Sequence, residues 1–476
     1  MFPAPPSTPV SPTAPEPPAS PSSLHDAPVW EEELEVLEPQ IGIDEIPPVA
    51  ETVLYAWQHT LVDVSPYVLP LVVTQAVGYD ASAGAYMISA CLVLMGVFTF
   101  VNATWGHRLP SVMGPSATDT GAMASAGTIF GAPAMWMAAF IGGLFEAVVG
   151  ASGVLVSLRR FLPPYVCGLV VTTIGVSLAR VAGGWVFSDT RPAMLGLSAA
   201  VAISIVFLTI LGSALRIGVL TRGAIFFSLI GVGVVGAGLL GLARFDALAD
   251  APWYGLPRLF AFGGPGVGWE LAGGAIIGVM AGYVGSIAES IGDYAGTCAV
   301  SKTTYKVRHI RRGITVEGIA SAVAPLFGAL PLTTYSQNTG VIATTRVASR
   351  RVVQVAAIIL LAYGLSPKFG TLLVLIPRPI VGVVFLIVCG MITVAGIRLL
   401  AAGVKDETYL FTTAITLIAA LTIPTAVRSN AAWFDSLSPF PRLLTSNPVV
   451  IATVLGIGLN GLLGVVLRRQ SQDEHR

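Results

Sequence analysis

Charged residues are scarce in this chain. Asp, Glu, Lys and Arg make up only 11% of its 476 residues, against roughly a quarter in an ordinary soluble domain, so composition argues against a water-soluble globule. Cysteine is scarce too. Cys91, Cys167, Cys298 and Cys389 lie far apart in apolar runs, with no CxxC spacing and no His cluster beside them, which argues against a disulfide framework or structural zinc. There is no Walker loop, nucleophile–base constellation or metal-ligand cluster. The residues therefore give no support to an enzyme, to a cofactor, to a bound metal or to transport driven by ATP. No connection between apolar runs is long enough to fold as a water-exposed domain with a basic face, so a nucleic-acid role is set aside. The opening MFPAPPSTPVSP lacks the basic stretch and short apolar core of a cleavable signal, and the first apolar run, near Thr52, is expected to direct insertion itself.

What is abundant is apolar sequence: 54% of residues are hydrophobic and the mean hydropathy is +0.78. Runs about twenty residues long recur from Thr52 to Leu467, each enough to cross a hydrocarbon core of ~30 Å. Fourteen can be counted, at 52–76, 82–103, 109–127, 132–156, 164–183, 193–213, 219–241, 270–299, 313–329, 331–347, 351–366, 371–397, 407–427 and 446–467. The chain reads as an all-α polytopic membrane protein. Before the first run, residues 1–50 carry nine acids and no Lys or Arg, a Pro-rich acidic tail expected to be disordered. Within it, WEEELEVLEPQIGIDEIPP reads as a solvated linker, with docking on the basic face of the body as the alternative.

The third and tenth runs make poor helices. MGPSATDTGAM carries Gly114, Pro115 and Thr118, and LPLTTYSQNTG carries Pro331, Thr333, Thr334 and Gly340, residues that break or weaken helices. Irregular backbone at membrane depth survives only where it lines a cavity or is buried in protein. The two runs are third in the first seven and third in the second seven, as two inverted repeats would have them. If each begins extended and continues as a half helix, two helix N-termini point at the midplane and favour a polar or anionic ligand. With the N-terminus inside, inner connections hold 18 Lys plus Arg and outer ones 8. The positive-inside rule then puts both termini in the cytoplasm.

Few ionisable groups fall within the runs, and each is a functional candidate by default: His59, Asp63, Asp119, Glu146, Glu289, Asp293 and Glu317. Glu289 and Asp293 are four apart in GYVGSIAESIGDYAG and share a helix face, where two carboxyls raise each other's pKa and suit proton coupling. Helix-to-helix hydrogen bonding is the ordinary reading for Glu146 and Glu317. Gln337 and Asn338 fall where the extended piece meets its half helix. Carboxamides both donate and accept, which matches a ring edge alternating C=O and N–H; for Asn338, capping is an equal alternative. Gln58 and His59 sit roughly level with these groups.

QNTGVIATTR, from Gln337 to Arg346, fits the pattern Q/E/P-N-x-G-x-x-x-x-T-R/K/G of the nucleobase-ascorbate transporter family. ESIGDY from Glu289, QH at Gln58–His59 and IRRGITVEG are similar to its other motifs, in the right order. The resemblance, over about 50–467, implies fourteen spans in two inverted seven-span repeats. It implies a core domain (51–156 and 270–366) moving like an elevator against a gate domain (157–269 and 367–467), followed by a C-terminal tail at 468–476. A homodimer through the gate domain and a bacterial inner-membrane location also follow from it. By the same resemblance, Glu289 and Gln337 contact opposite edges of the substrate, Asn338, Ser116, Ala117 and Val64 complete the pocket, and Gly340, Thr345, Arg346, Gln58 and Glu317 support it. Coupling, to H+ or else Na+, is expected to involve Glu289, Asp293, His59, Asp63 and Asp119. Glutamine at position 337 resembles xanthine and urate carriers more than uracil carriers, so a purine is the leading substrate. A uracil or ascorbate carrier and an anion carrier of the sulfate-permease type are the alternatives. Two departures stand out: Gly114–Pro115–Ser116–Ala117 lacks the aromatic usual in the third span, and Asp63 is an unexpected acid in the first.

Overall fold

The computed structural model describes residues 38–63, 65–155, 164–243, 245–403 and 407–473. Most of the expected tail, residues 1–37, lies outside them, as does Val64. In chain order the elements begin with α1 (Val49–Val62), α2 (Ser65–Val77) and α3 (Ala81–Thr104), followed by β1 (Met113–Pro115), α4 (Ala117–Phe130) and α5 (Ala132–Ser152). Next come α6 (Pro164–Val186), α7 (Pro192–Ala214), α8 (Gly218–Ser228), a π-helical turn (Leu229–Val234), α9 (Val235–Leu239) and α10 (Asp246–Asp250). The remainder is α11 (Gly273–Val300), α12 (Val307–Leu326), β2 (Leu332–Thr334), α13 (Ser336–Thr345), α14 (Arg350–Gly364), α15 (Pro367–Val374), α16 (Arg378–Gly403), α17 (Glu407–Ser429), α18 (Ala431–Ser436), α19 (Pro439–Ser446) and α20 (Pro448–Asp473). Among the described residues, nine helical stretches are long and apolar enough to cross a membrane, and the α14–α15 pair, bent by 75°, makes a tenth.

The interrupted runs begin as expected. Each opens with three extended residues and turns into a half helix, and the two extended pieces pair antiparallel, Met113 with Thr334, Gly114 with Thr333 and Pro115 with Leu332. The pairing satisfies backbone groups that neither run could satisfy alone at this depth. Ser116 caps α4, its hydroxyl accepting from the Asp119 amide at 3.1 Å, so the half helix starts where the strand stops.

Two boundaries differ from the sequence reading. The first run is not one helix: α1 ends at Val62 and α2 begins at Ser65, because Pro66 has no amide to donate and its ring would clash with the carbonyl four residues back, that of Val62. The run starting at 371 is also divided, since Pro377 separates the short α15 from α16. A third difference concerns the tail. Residues 38–47 are not a solvated linker but a strap along the end of α13: the Gln40 amide donates to the Arg346 carbonyl at 2.8 Å, Ala348 to Ile41 at 2.9 Å and Arg350 to Ile43 at 3.0 Å. The Arg350 guanidinium pairs with Asp44, and Ile41 packs against Ala56, Val347, Val352 and Ala356.

Packing ties the halves together through bare backbone. α5 crosses α12 where a methyl group on Gly143 would lie 2.2 Å from the Ala322 amide nitrogen and one on Gly318 2.0 Å from that of Ala147. α3 meets α14 the same way at Gly96 and Gly364, and α6 meets α16 at Gly168 and Gly396. Such small-residue seams replace the hydrophobic drive that lipid cannot supply. Numbered by apolar run, the packed pairs are four with nine, two with eleven, five with twelve and three with ten. Exchanging the two sevens maps this set of pairs onto itself.

Candidate functional site

The paired strands deliver the starts of α4 and α13 to one place from opposite directions. Gly114 leaves room for the Tyr335 ring, which a Cβ there would meet at 2.5 Å, and the Tyr335 hydroxyl donates to the Pro115 carbonyl at 3.0 Å. A ring from the tenth run thus packs on the backbone of the third. The Ser116 amide donates to the Pro331 carbonyl at 2.8 Å, and its hydroxyl lies 3.3 Å from that of Ser286 on α11. One turn along α11, half-buried Glu289 faces the same helix start, its Oε2 accepting from the Thr118 hydroxyl at 3.2 Å. Gln337, in the first turn of α13, is half-buried and its carboxamide makes no hydrogen bond among the described residues.

Asn338 neither caps α13, whose N-cap position is Tyr335, nor faces open space. It is fully buried, and its Nδ2 donates to His59 Nδ1 at 3.0 Å and to the His59 carbonyl at 3.2 Å. The ring proton of His59 is thereby assigned to Nε2. Gln58, beside it, accepts from Arg222 Nη1 on α8, a bridge across more than 160 residues of sequence. The Arg222 Nε is buried without a partner among the described residues.

The acids fall into two groups. Glu317 is fully satisfied: it accepts from Ser290 at 2.5 Å, from Tyr294 and from Thr334, and Ser290 also meets the Thr333 hydroxyl at 2.9 Å. This network fastens α11 and α12 to β2. Asp63, Asp119 and Glu146 are 0–1% exposed and their carboxyl oxygens have no hydrogen-bond partner among the described residues, nor has Asp293 Oδ2. An ionised carboxylate in that state would cost several kcal/mol.

The expected residues thus separate. Glu289, Ser116, Ala117 and the first turn of α13 converge, and His59 and Gln58 adjoin through Asn338. Gly340, Thr345 and Arg346 do not belong to the cluster: Gly340 is exposed, the Thr345 hydroxyl bonds the Val341 carbonyl within α13, and Arg346 caps the far end of that helix in a left-handed conformation (φ 59°), its guanidinium holding the Glu38 carbonyl. Arg222, Ser286 and Tyr335 were not singled out from sequence, and Thr118 only as a residue that weakens a helix. Arg222 had a readable signal, as a lone cation inside an apolar run; the hydroxyls did not. A cavity of about 820 Å³ reaches this cluster at Ala117, running between α2 and α4 on one side and α6, α17 and α19 on the other, past Gln75, Ser125, Arg180 and Asn447. The arrangement offers a fixed acceptor (Glu289), an uncommitted carboxamide (Gln337) and two helix N-termini, which together suit a planar polar ring.

Residues 50–429 match the family model Xan_ur_permease, a permease family. The chain belongs to the nucleobase-ascorbate transporter family. It is similar to the uric acid permease PucK of Bacillus subtilis, 31% identical over 85% of this chain and 93% of the relative. It is similar also to the nucleobase transporter PlUacP of Paenibacillus larvae, 30% identical over 88% and 95%, and to the xanthine permease XanQ of Escherichia coli K12, 28% identical over 88% and 93%. Two solved structures share the fold: the transmembrane domain of the cyanobacterial bicarbonate transporter BicA (TM-score 0.51, 16% identity, 88% of this chain and all of that one) and SLC26A9 (TM-score 0.55, 10% identity, 88% and 66%). This member of the permease family is an integral membrane transporter and not an enzyme.

Proposed function

We propose that this transporter imports a nucleobase, a purine such as xanthine or urate, together with a proton. The observation that carries the reading is the convergence of Glu289, anchored by Thr118, with the uncommitted Gln337 at the meeting point of two half helices. Glu289 accepts from ring N–H groups and Gln337 pairs with the opposite edge, where its carboxamide meets either a donor or an acceptor. Relatives named for uric acid and xanthine support a purine. An anionic substrate of the sulfate type fits poorly, because it has no N–H groups for Glu289 to accept from.

In this reading the fourteen runs form two inverted seven-span repeats, which the exchange symmetry of the packed helix pairs supports. A core domain (51–156 and 270–366) carries the site past a gate domain (157–269 and 367–467), and two copies join through their gate domains. Both termini face the cytoplasm across a bacterial inner membrane, as the excess of Lys and Arg in the corresponding connections favours. Asp63, Asp119, Asp293 and Glu289 are the candidates for the coupled proton, since three of them have buried carboxyl oxygens without partners among the described residues.

Uptake of labelled xanthine, urate, uracil, adenine and ascorbate into proteoliposomes, with and without pH and Na+ gradients, tests the proposal. The expected result is concentrative purine uptake driven by an inward proton gradient. Uptake inhibited by sulfate, with no response to any nucleobase, would overturn it.

A further inference from the structure

We infer that the protein carries a site for an anionic phospholipid, separate from the transport pathway, in a cavity of about 660 Å³ at the junction of α3, α5 and α12. Its wall holds Arg308, Arg311 and Arg312, together with Trp105 at the end of α3 and Ala151 near the end of α5, and no acid is among the described residues that line it. The three arginines fall at positions i, i+3 and i+4 on the first turns of α12, so their guanidinium groups gather on one side of a helix whose positive end is at the same level. Arg311 is held in place by its Nη2, which donates to the Ala151 carbonyl at 2.9 Å. Guanidinium forks match the geometry of a phosphodiester.

Two further features distinguish a lipid from a soluble anion. Trp105 is 65% exposed at the rim, the place an indole takes at a membrane interface. From the cavity an apolar lane then runs along the helices at helical spacing: Leu144 and Val148 precede Ala151 on α5, and Ile319 follows Arg312 and Val316 on α12, all three exposed. The α5–α12 seam is too tight for side chains between the helices, which leaves a shallow groove for an acyl chain below a basic seat for its phosphate. This end of the molecule also carries Arg346 and the N-terminal strap, and is the one assigned above to the cytoplasm.

The full chain, purified in mild detergent, is to be titrated with phosphatidylglycerol or phosphatidylcholine and the bound lipid counted by native mass spectrometry. Wild type is expected to retain phosphatidylglycerol at least tenfold better than phosphatidylcholine. Arg308→Ala/Arg312→Ala, at two exposed positions, should lose that preference, while the charge-matched control Arg216→Ala/Arg398→Ala keeps it. Melting curves on the same samples confirm that each variant is folded. Equal retention by the arginine variant and the control would overturn the site. So would displacement of the lipid by inorganic phosphate at matching concentration, which would make it an ion site. Binding that appears only after deletion of residues 2–37 would overturn it as well, because the acidic stretch of the chain would then be the occupant.

Discussion

Replacing Glu289 with glutamine keeps the shape of the side chain and removes its charge. In the native geometry Oε2 takes the Thr118 hydroxyl at 3.2 Å, a long bond, which leaves Oε1 to accept from the substrate. A glutamine has one oxygen for both tasks. If it faces the substrate, its NH2 meets Thr118, whose hydroxyl can turn to accept, and the local structure survives. The loss is then that of a charge-assisted hydrogen bond to the ligand, about 1.5–3 kcal/mol, or roughly tenfold to more than a hundredfold in affinity. If the amide faces the substrate instead, two donors oppose each other and the loss is at the upper end. Calorimetric binding of xanthine or urate and the melting temperature, measured on one purified sample, separate this from a packing role. Weak binding with an unchanged melting temperature is expected. Normal affinity with a lowered melting temperature would refute the reasoning, because it would mean that Glu289 serves only to join α11 to α4.

Gln337→Glu should redirect preference across the nucleobase panel with little change in expression, since a mismatched buried partner costs roughly 1–3 kcal/mol; an unchanged profile would remove Gln337 from the substrate contacts. Deleting residues 2–37 should leave the melting temperature unchanged and uptake within about twofold of wild type. Deleting residues 2–47 removes the strap hydrogen bonds to Arg346, Ala348 and Arg350, each worth about 1 kcal/mol, and should lower the melting temperature, so equal melting curves for the two truncations would show that the strap contributes nothing. Asp63→Asn and Asp119→Asn should each weaken the dependence of uptake on the proton gradient without unfolding the protein, because a neutral amide fits where an ionised acid is costly. Intact gradient dependence in both variants would assign these acids a purely structural role.

Local breakers made much of the site legible in advance. Gly114, Pro115, Pro331 and the Thr333–Thr334 pair break or weaken a helix, so the extended pieces and their half helices could be placed from sequence, and Gln337 with them; Glu289 stood out as an ionisable group in an apolar run. What was missed depends on partners far away in the chain. The strap pairs Ile41 with Val347, Asn338 reaches back to His59, and Gln58 meets Arg222; no window of twenty residues contains either end of such a contact with its mate. The break at Asp63 was hidden for another reason. Apolar periodicity runs straight through residues 52–76, and only Pro66 marks the discontinuity.

The β1–β2 pair has a consequence for how the protein is made. Pro115 and Leu332 are partners, yet on the order of 200 residues separate them, and at about 5–20 residues per second a ribosome needs roughly 10–40 s to deliver the second strand after the first. Throughout that interval the amides and carbonyls of Met113 and Gly114 have reached the membrane without their mates, in a solvent that offers none. The nascent chain must therefore keep its third segment at the wet rim of the insertion machinery, or cover it with another protein surface, until the tenth emerges. The candidate site exists only after seven further apolar runs have been threaded, and a stall in translation between residues 115 and 332 should leave a chain that is inserted, largely helical and exposed to quality-control proteases at Gly114.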